Sequence, residues 1–345
     1  MKVSDFDFSL PRELIAQSHA EKRSLSRLLV YHFPSGKRED KFFYDIEDYF
    51  SCGDLLVIND TKVIPARLFG QKKSGGRIEL LLTGERSEGL WESMARPLKR
   101  LHIGTVIEVN GITFSVEEKL DWGGVLLRFP EGLDVHDFLQ KNGRMPVPPY
   151  IHNDDQDYLR KRYQTVFAEK QGSVAAPTAG LHFTEEILCR LKAKGVQVIT
   201  ITLHVGMGTF LPVKSETVEG HVMHSEFFEI SPEAAEAVNS RKGRLFACGT
   251  TVTRTLEYAA DENGRLEAGR GWSDLFIYPG YRYRIVENLI TNFHLPRSTL
   301  LMLVAALTGR REILQLYQEA VAKKYRFFSF GDAMLIITKE KNALG

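Results

Sequence analysis

The 345-residue sequence has only three cysteines, Cys52, Cys189 and Cys248. An odd number at wide spacing supports neither a disulfide framework nor a Cys-x-x-Cys metal or redox site, so reduced, buried thiols are expected. Long apolar runs are missing too: residues 300–307 form an eight-residue stretch, far short of the roughly 20 that a membrane helix needs. That stretch reads as a buried helix, and no membrane association is expected. Residues 1–11 lack the basic-then-apolar order of an export signal, which implies a cytoplasmic protein. Charge of one sign is absent, with 45 Lys and Arg against 44 Asp and Glu. Any nucleic-acid surface must therefore be a local patch. There is no P-loop and no Gly-x-Ser-x-Gly elbow. A Gly-x-Gly does occur at Gly206 and Gly208, but Leu211 occupies the place of a third glycine, so a Rossmann dinucleotide site is not expected. Those two glycines suit a sharp turn and a close backbone approach to a ligand equally.

What is present is a chain with 43% hydrophobic residues, enough for two cored domains. Short apolar runs at 54–58, 196–205, 245–248, 274–278 and 334–337 are rich in β-formers and bounded by Gly, Asp or Pro, as buried strands are. Helical patterns alternate with them. Thr184 is placed to cap a helix that carries Glu185 and Glu186 in its first turn and stops at Gly195, and Ser231-Pro232 opens another. Residues 61–151 read differently, as six strands (67–73, 77–83, 90–96, 105–109, 112–117, 125–129) separated by glycine turns, with one short helix near 135–140. That pattern favours a small antiparallel barrel or sandwich, left through the rigid Pro146-Val147-Pro148-Pro149. The expected fold is an α/β sheet domain, discontinuous over 1–60 and 152–345, with a β-barrel-like domain inserted at 61–151.

Among polar clusters, His221 and His224 are three apart, and Glu219, Glu226 and His204 are the nearby further ligands; no metal-site spacing is met, so a metal is not expected. Thr250 and Thr251 follow a strand and begin a helical pattern, where amides and hydroxyls can hold a carboxylate or phosphate or simply cap the helix. Basic residues alternate with tyrosine at Arg160, Lys161, Arg162 and Tyr163, at Tyr281, Arg282, Tyr283 and Arg284, and at Lys323, Lys324, Tyr325 and Arg326. Guanidinium groups pair with phosphates and aromatic rings stack on unpaired bases, which suits RNA; the plainer reading is a solvated charged surface.

Many ordered blocks then point one way: Gly172 through Phe183, Ile290-Thr291-Asn292-Phe293-His294-Leu295-Pro296, Asn59-Asp60-Thr61-Lys62, Thr202-Leu203-His204-Val205-Gly206, and Gly249-Thr250-Thr251 with Arg254. The chain resembles the tRNA ribosyltransferase-isomerase family of queuosine synthesis from Phe6 to Ile337. It departs from the family pattern at Val252-Thr253, where Ser-Val is usual. The resemblance implies transfer of the ribosyl part of S-adenosylmethionine, a consumed co-substrate, onto 7-aminomethyl-7-deazaguanine in the tRNA anticodon. No other cofactor and no obligate protein partner are implied. Under it, His182, His204, His294 and Asp60 become the proton-handling candidates. Asn59, Lys62, Thr178, Gly180, Gly206, Gly208, Thr250, Thr251, Arg254 and Asn292 become substrate-binding candidates. Arg160, Arg162, Arg282, Arg284, Lys323, Lys324 and Arg326 are expected to hold RNA. If the strands are mainly parallel, the loops at 59–60, 177–182, 204–208, 249–251 and 292–294 converge on one sheet edge. The rivals are an RNA methyltransferase using the same donor, which would release S-adenosylhomocysteine and not adenine, and a non-catalytic RNA-binding module.

Overall fold

A computed structural model describes residues 1–206 and 213–340. The chain lays down β1 (Arg27–His32), β2 (Arg38–Phe42) and β3 (Leu55–Asn59), crosses through β4 (Thr61–Val63), and then forms β5 (Arg67–Lys72), β6 (Arg77–Ser87), β7 (Leu90–Arg96), β8 (Val106–Val109), β9 (Ile112–Lys119) and β10 (Val125–Arg128). Helices α1 (Val135–Asn142) and α2 (Gln156–Arg162) lead back to β11 (Lys170–Ser173). There follow α3 (Glu185–Ala193), β12 (Gln197–Leu203), β13 (Glu226–Ile230), α4 (Pro232–Asn239), β14 (Leu245–Cys248), α5 (Thr250–Ala259), β15 (Gly269–Ser273), β16 (Asn288–Asn292), α6 (Thr299–Thr308), α7 (Arg310–Ala322) and β17 (Ala333–Ile337).

The result is a discontinuous α/β sheet domain carrying an inserted antiparallel barrel. The large sheet has nine strands in the order β15-β13-β12-β3-β14-β16-β17-β1-β2, while β5 to β10 close on themselves. Its centre is legible in residue type: β3 and β14 are buried at every position, the continuous apolar pattern of a strand covered on both faces. One face packs on α4 to α7 through residues such as Val238, Leu256, Leu303 and Leu316. The other packs on α3 and the turn at Phe43–Tyr49 through Ile187, Leu191 and Phe43. Closure protects the barrel from leaving an open edge; its core holds Trp91, Phe114 and Phe129, with Phe138 and Leu139 of α1 packed in. Arg67 and Arg144 pair through two backbone hydrogen bonds where the chain enters and leaves the barrel. β4 pairs in parallel with β11, so Thr61–Val63 connects the two bodies and is not itself a barrel strand.

Two expectations are corrected. Residues 274–278 are not a strand; the strand is β15, just before them. The segment is instead held by the Arg254 guanidinium, which donates to the carbonyls of Leu275 (3.0 Å) and Ser273 (3.4 Å), and Ile277 turns into the core. Of the cysteines only Cys248 is buried, whereas Cys52 and Cys189 are exposed. Cys189 lies off the stripe of Ile187 and Leu191 by which α3 docks.

Candidate active site

β12, β3, β14 and β16 run parallel to one another, so their carboxyl ends open on one edge, where ligands of such sheets bind. β17 runs antiparallel to β16 and parallel to β1, which brings Asp332 and Ser26, the residues before those strands, to the same edge. The 3-10 turn Thr178–His182 does not leave a strand of this sheet, yet it is drawn there. Gly249 takes φ +98° and lies against Ala179, and His182 bonds Asn292 (3.1 Å). Four of the expected loops therefore meet as strand exits and the fifth arrives by packing. Gly208 lies outside the described residues.

His182 is fixed by a chain of hydrogen bonds. The Ser26 hydroxyl donates to the Arg23 carbonyl (3.1 Å), so it accepts from His182 Nδ1 (2.7 Å), and His182 Nε2 accepts from the Asn292 amide (3.1 Å). Burial, helped by the Arg326 and Arg23 charges, lowers its pKa to about 3. His294 is held likewise: Nε2 meets Thr291 Oγ1 (2.9 Å), its backbone amide donates to the Tyr317 hydroxyl (3.0 Å), and burial lowers its pKa to about 3. His204 differs. Among the described residues only its Nδ1 is engaged, by Thr61 Oγ1 (2.7 Å); the ring lies over Gly172, where a Cβ would sit 2.9 Å from it. It is half-buried, and burial with the Lys170 charge lowers its pKa.

Asp60 is buried and accepts from Thr202 Oγ1 (2.7 Å). Burial raises its pKa despite that bond. Asn59, expected to bind substrate, is a clamp: its amide donates to the Leu203 carbonyl (2.9 Å) and its oxygen accepts from Leu203 (3.0 Å) and Thr61 (3.1 Å) amides, locking β3 to β12. Arg254 is likewise structural, in a buried ion pair with Glu226 (2.7 Å). Glu226 in turn accepts from the Gly206 amide (3.1 Å), setting the lip of that loop. A Cβ on Gly180 would strike Phe167 (2.7 Å) and Thr165 (2.9 Å), so that glycine serves packing. Lys62 and Thr178 are half-buried. Thr250 is buried, and α5 starts beneath it; the family departure Val252-Thr253 is core, with Thr253 Oγ1 donating back to the Gly249 carbonyl (3.1 Å). Among the described residues, Asn292 Oδ1 and Thr251 Oγ1 are buried at this edge without a partner. Such groups are costly unless a ligand completes them.

The basic clusters separate. Arg162 donates to the Ala20 carbonyl (2.6 Å), Arg326 pairs with Asp332 (3.1 Å), and Arg27 holds the Lys323 carbonyl (2.8 Å), so the 160–162 and 323–326 clusters flank the site edge together. Arg160 is tied to the Gly143 carbonyl (2.7 Å). Lys323 is paired with Asp40 (2.6 Å), while Lys324 is exposed. Arg282 and Arg284 precede β16 and lie at the opposite edge, Arg284 bonding the Ala260 carbonyl (2.8 Å) at the end of α5. Tyr163 and Tyr325 are fully buried, so these two rings of the clusters at the site edge serve the core, while Tyr281 and Tyr283 at the opposite edge are half-buried. A cavity of about 300 Å³ also opens at that opposite edge, between His32, Lys41, Tyr49 and Arg244; no expected site residue lines it.

Sequence reasoning missed Ser26, Thr61 and Arg23, and considered Glu226 only as a metal ligand. Glu226 had a signal, an acidic side chain at an inward position of the alternating β13, buried at 226, 228 and 230. Among the described residues no three His, Cys, Asp or Glu side chains come together as metal ligands, and no helix is long and apolar enough to cross a membrane.

Parallel strands that pool imidazole, carboxylate and amide groups on one edge, beside guanidinium clusters, have the arrangement of an α/β enzyme site. The chain belongs to the queuosine biosynthesis protein family, which matches residues 3–336. It is 50% identical to the S-adenosylmethionine:tRNA ribosyltransferase-isomerase of Halothermothrix orenii and 51% identical to that of Symbiobacterium thermophilum, each over 98% of this chain and 100% of the relative. The crystal structure of S-adenosylmethionine tRNA ribosyltransferase from Thermotoga maritima is 37% identical and matches with a TM-score of 0.55 over 97% of this chain and 100% of that one.

Proposed function

We infer that the chain is an S-adenosylmethionine:tRNA ribosyltransferase-isomerase. It moves the ribosyl part of the donor onto 7-aminomethyl-7-deazaguanine at the wobble position of tRNA, leaving epoxyqueuosine and releasing adenine and methionine. The full-length kinship with relatives bearing that activity's name carries the reading; the pooled polar edge supports it. Donor and tRNA are both cytoplasmic, so the enzyme works there without a membrane or an obligate protein partner. The sulfonium acidifies the adjacent 5′-methylene, so the electrophile is already activated and the reading asks for no metal or further cofactor.

The protein must remove a 5′ proton, assist adenine departure, and orient the deazaguanine amine for attack before the epoxide closes with loss of methionine. His204 is the base in this reading. Its Nδ1 is anchored and its Nε2 has no partner among the described residues, whereas both nitrogens of His182 are already bonded. Asp60, with its raised pKa, is suited to pass the proton onward. Asn292 Oδ1 and Thr251 Oγ1 are acceptors for donor hydroxyl or amino groups.

The test is single-turnover adenine release with donor and tRNA binding measured alongside, for His204→Ala, His182→Ala, His294→Ala and Asp60→Asn. His204→Ala is expected to lose about 10²–10⁴ in rate with binding retained. In the wild type kcat/KM falls only once pH drops below the ordinary imidazole value near 6.5, because the His204 pKa is lowered. Full activity in all three histidine variants would remove imidazole from the mechanism, and S-adenosylhomocysteine as product would return the methyltransferase reading.

A further inference from the structure

His204, Phe227 and Trp272 stand in one cross-strand row. The His204 amide donates to the Phe227 carbonyl (2.9 Å), and Phe227 is directly opposite Trp272 in the β13–β15 register. The imidazole stacks on Phe227 at 5.8 Å and 17°, and Phe227 meets Trp272 edge to face at 5.7 Å. Single exposed aromatics are ordinary. Here, however, the outermost ring, Trp272, is 63% exposed on an edge strand, and the innermost is the imidazole proposed to take the proton. Two residues along the same face, Glu229 lies opposite Arg270 and pairs with Lys170 (3.0 Å), so two cations border the row against one carboxylate.

We propose that this row is a stacking platform for unpaired bases of the tRNA anticodon loop, leading the reacting nucleotide to His204. The inference rests on the functional reading above and names how that substrate is seated. Single-stranded RNA is recognised by stacking splayed bases on aromatic faces while cations follow the phosphates. The platform accepts any base by its π-face, and Arg270 and Lys170 supply the charge complement. The tyrosines of the two basic clusters at the site edge, Tyr163 and Tyr325, are buried and cannot take this part.

The test uses the full-length protein and an anticodon stem-loop RNA carrying the substrate base, with affinity followed by fluorescence anisotropy. Trp272→Ala is expected to weaken binding about 5- to 150-fold, the range for loss of one base–aromatic stack. Trp272→Phe should restore most of it. The KM for tRNA should rise, while kcat at saturating RNA, donor affinity and Tm stay near wild type. If Trp272→Ala lowers Tm, Trp272→Leu keeps the apolar bulk without the π-face and becomes the deciding variant. Unchanged RNA affinity in these variants overturns the proposal, as does a change in oligomeric mass in place of RNA affinity, which would assign the face to a second copy. Wild-type protein that releases no adenine with tRNA would instead overturn the functional reading itself.

Discussion

His182 and His294 are imidazoles that folding keeps neutral, each with a pKa of about 3 against about 6.5 in an unfolded chain. Below pH 6.5 the unfolded state binds protons that the folded state refuses. Stability is therefore complete above pH 6.5 and falls with acidification by about 1.4 kcal/mol per pH unit for each such histidine until the folded pKa is reached. Thermal melts between pH 6.5 and 5, above most carboxylate titration, should show a falling Tm, and a His182→Gln/His294→Gln variant should show a flatter slope whatever its absolute Tm. An equal slope in both proteins would mean these rings are not buried neutral. At this scale the sequence told residue types better than roles. Asn59 and Arg254 carry the functional groups of ligand-binding residues, but their partners are backbone groups and a carboxylate from β12, β13 and the segment after β15. No local pattern reports which distant carbonyl comes within 3 Å.

Helices with caps were readable because their signals are local. Thr184 accepts from the Ile187 amide and Ser231 from the Ala234 amide, as their positions require. β13 was unread because acidic residues open its alternation and repeat within it, at Glu226 and Glu229, and only the partner on α5 explains the first. The buried pair between that carboxylate and Arg254 fixes β13, α5 and the loop at Gly206 together. Breaking one side leaves a guanidinium without its counter-charge, so Glu226→Gln should cost about 3–5 kcal/mol in urea denaturation. Adding Arg254→Met should recover part of that loss. If Glu226→Gln is neutral, the pair does not organise these elements.

Across the whole molecule, the two basic clusters that flank the site edge and the one at the opposite edge make different claims on RNA. Lys161 and Lys324 are exposed and so are the cleanest probes, since Arg162 and Arg326 also hold the backbone. Each lost phosphate contact should lower the slope of log affinity against log salt by nearly one. Lys161→Ala and Lys324→Ala are expected to do so, whereas Arg282→Ala should leave the slope alone; the reverse result would move the RNA path to the other edge. The α/β and barrel patterns were legible because strand and helix periods differ along the chain. The order of the sheet was not, since β17 enters between β16 and β1 through pairings that no local signal encodes.

That insertion has a consequence for synthesis. A ribosome delivers β1 early, but its parallel neighbour β17 emerges only after nearly all the rest; Arg27 and Asp332, bonded at 3.0 Å, are 305 residues apart. The six barrel strands lie consecutively within 67–128, so we propose that the barrel closes while the nascent chain is still growing. The sheet stays split through the translation of α6 and α7, with β1 lacking the partner that seats Ser26 beside His182. Long-range pairing of this kind is slow and leaves open edges meanwhile. The Ser26–His182 side of the catalytic edge is thus the last to be completed, and a chain stalled before β17 would carry a finished barrel and an edge that lacks Asp332.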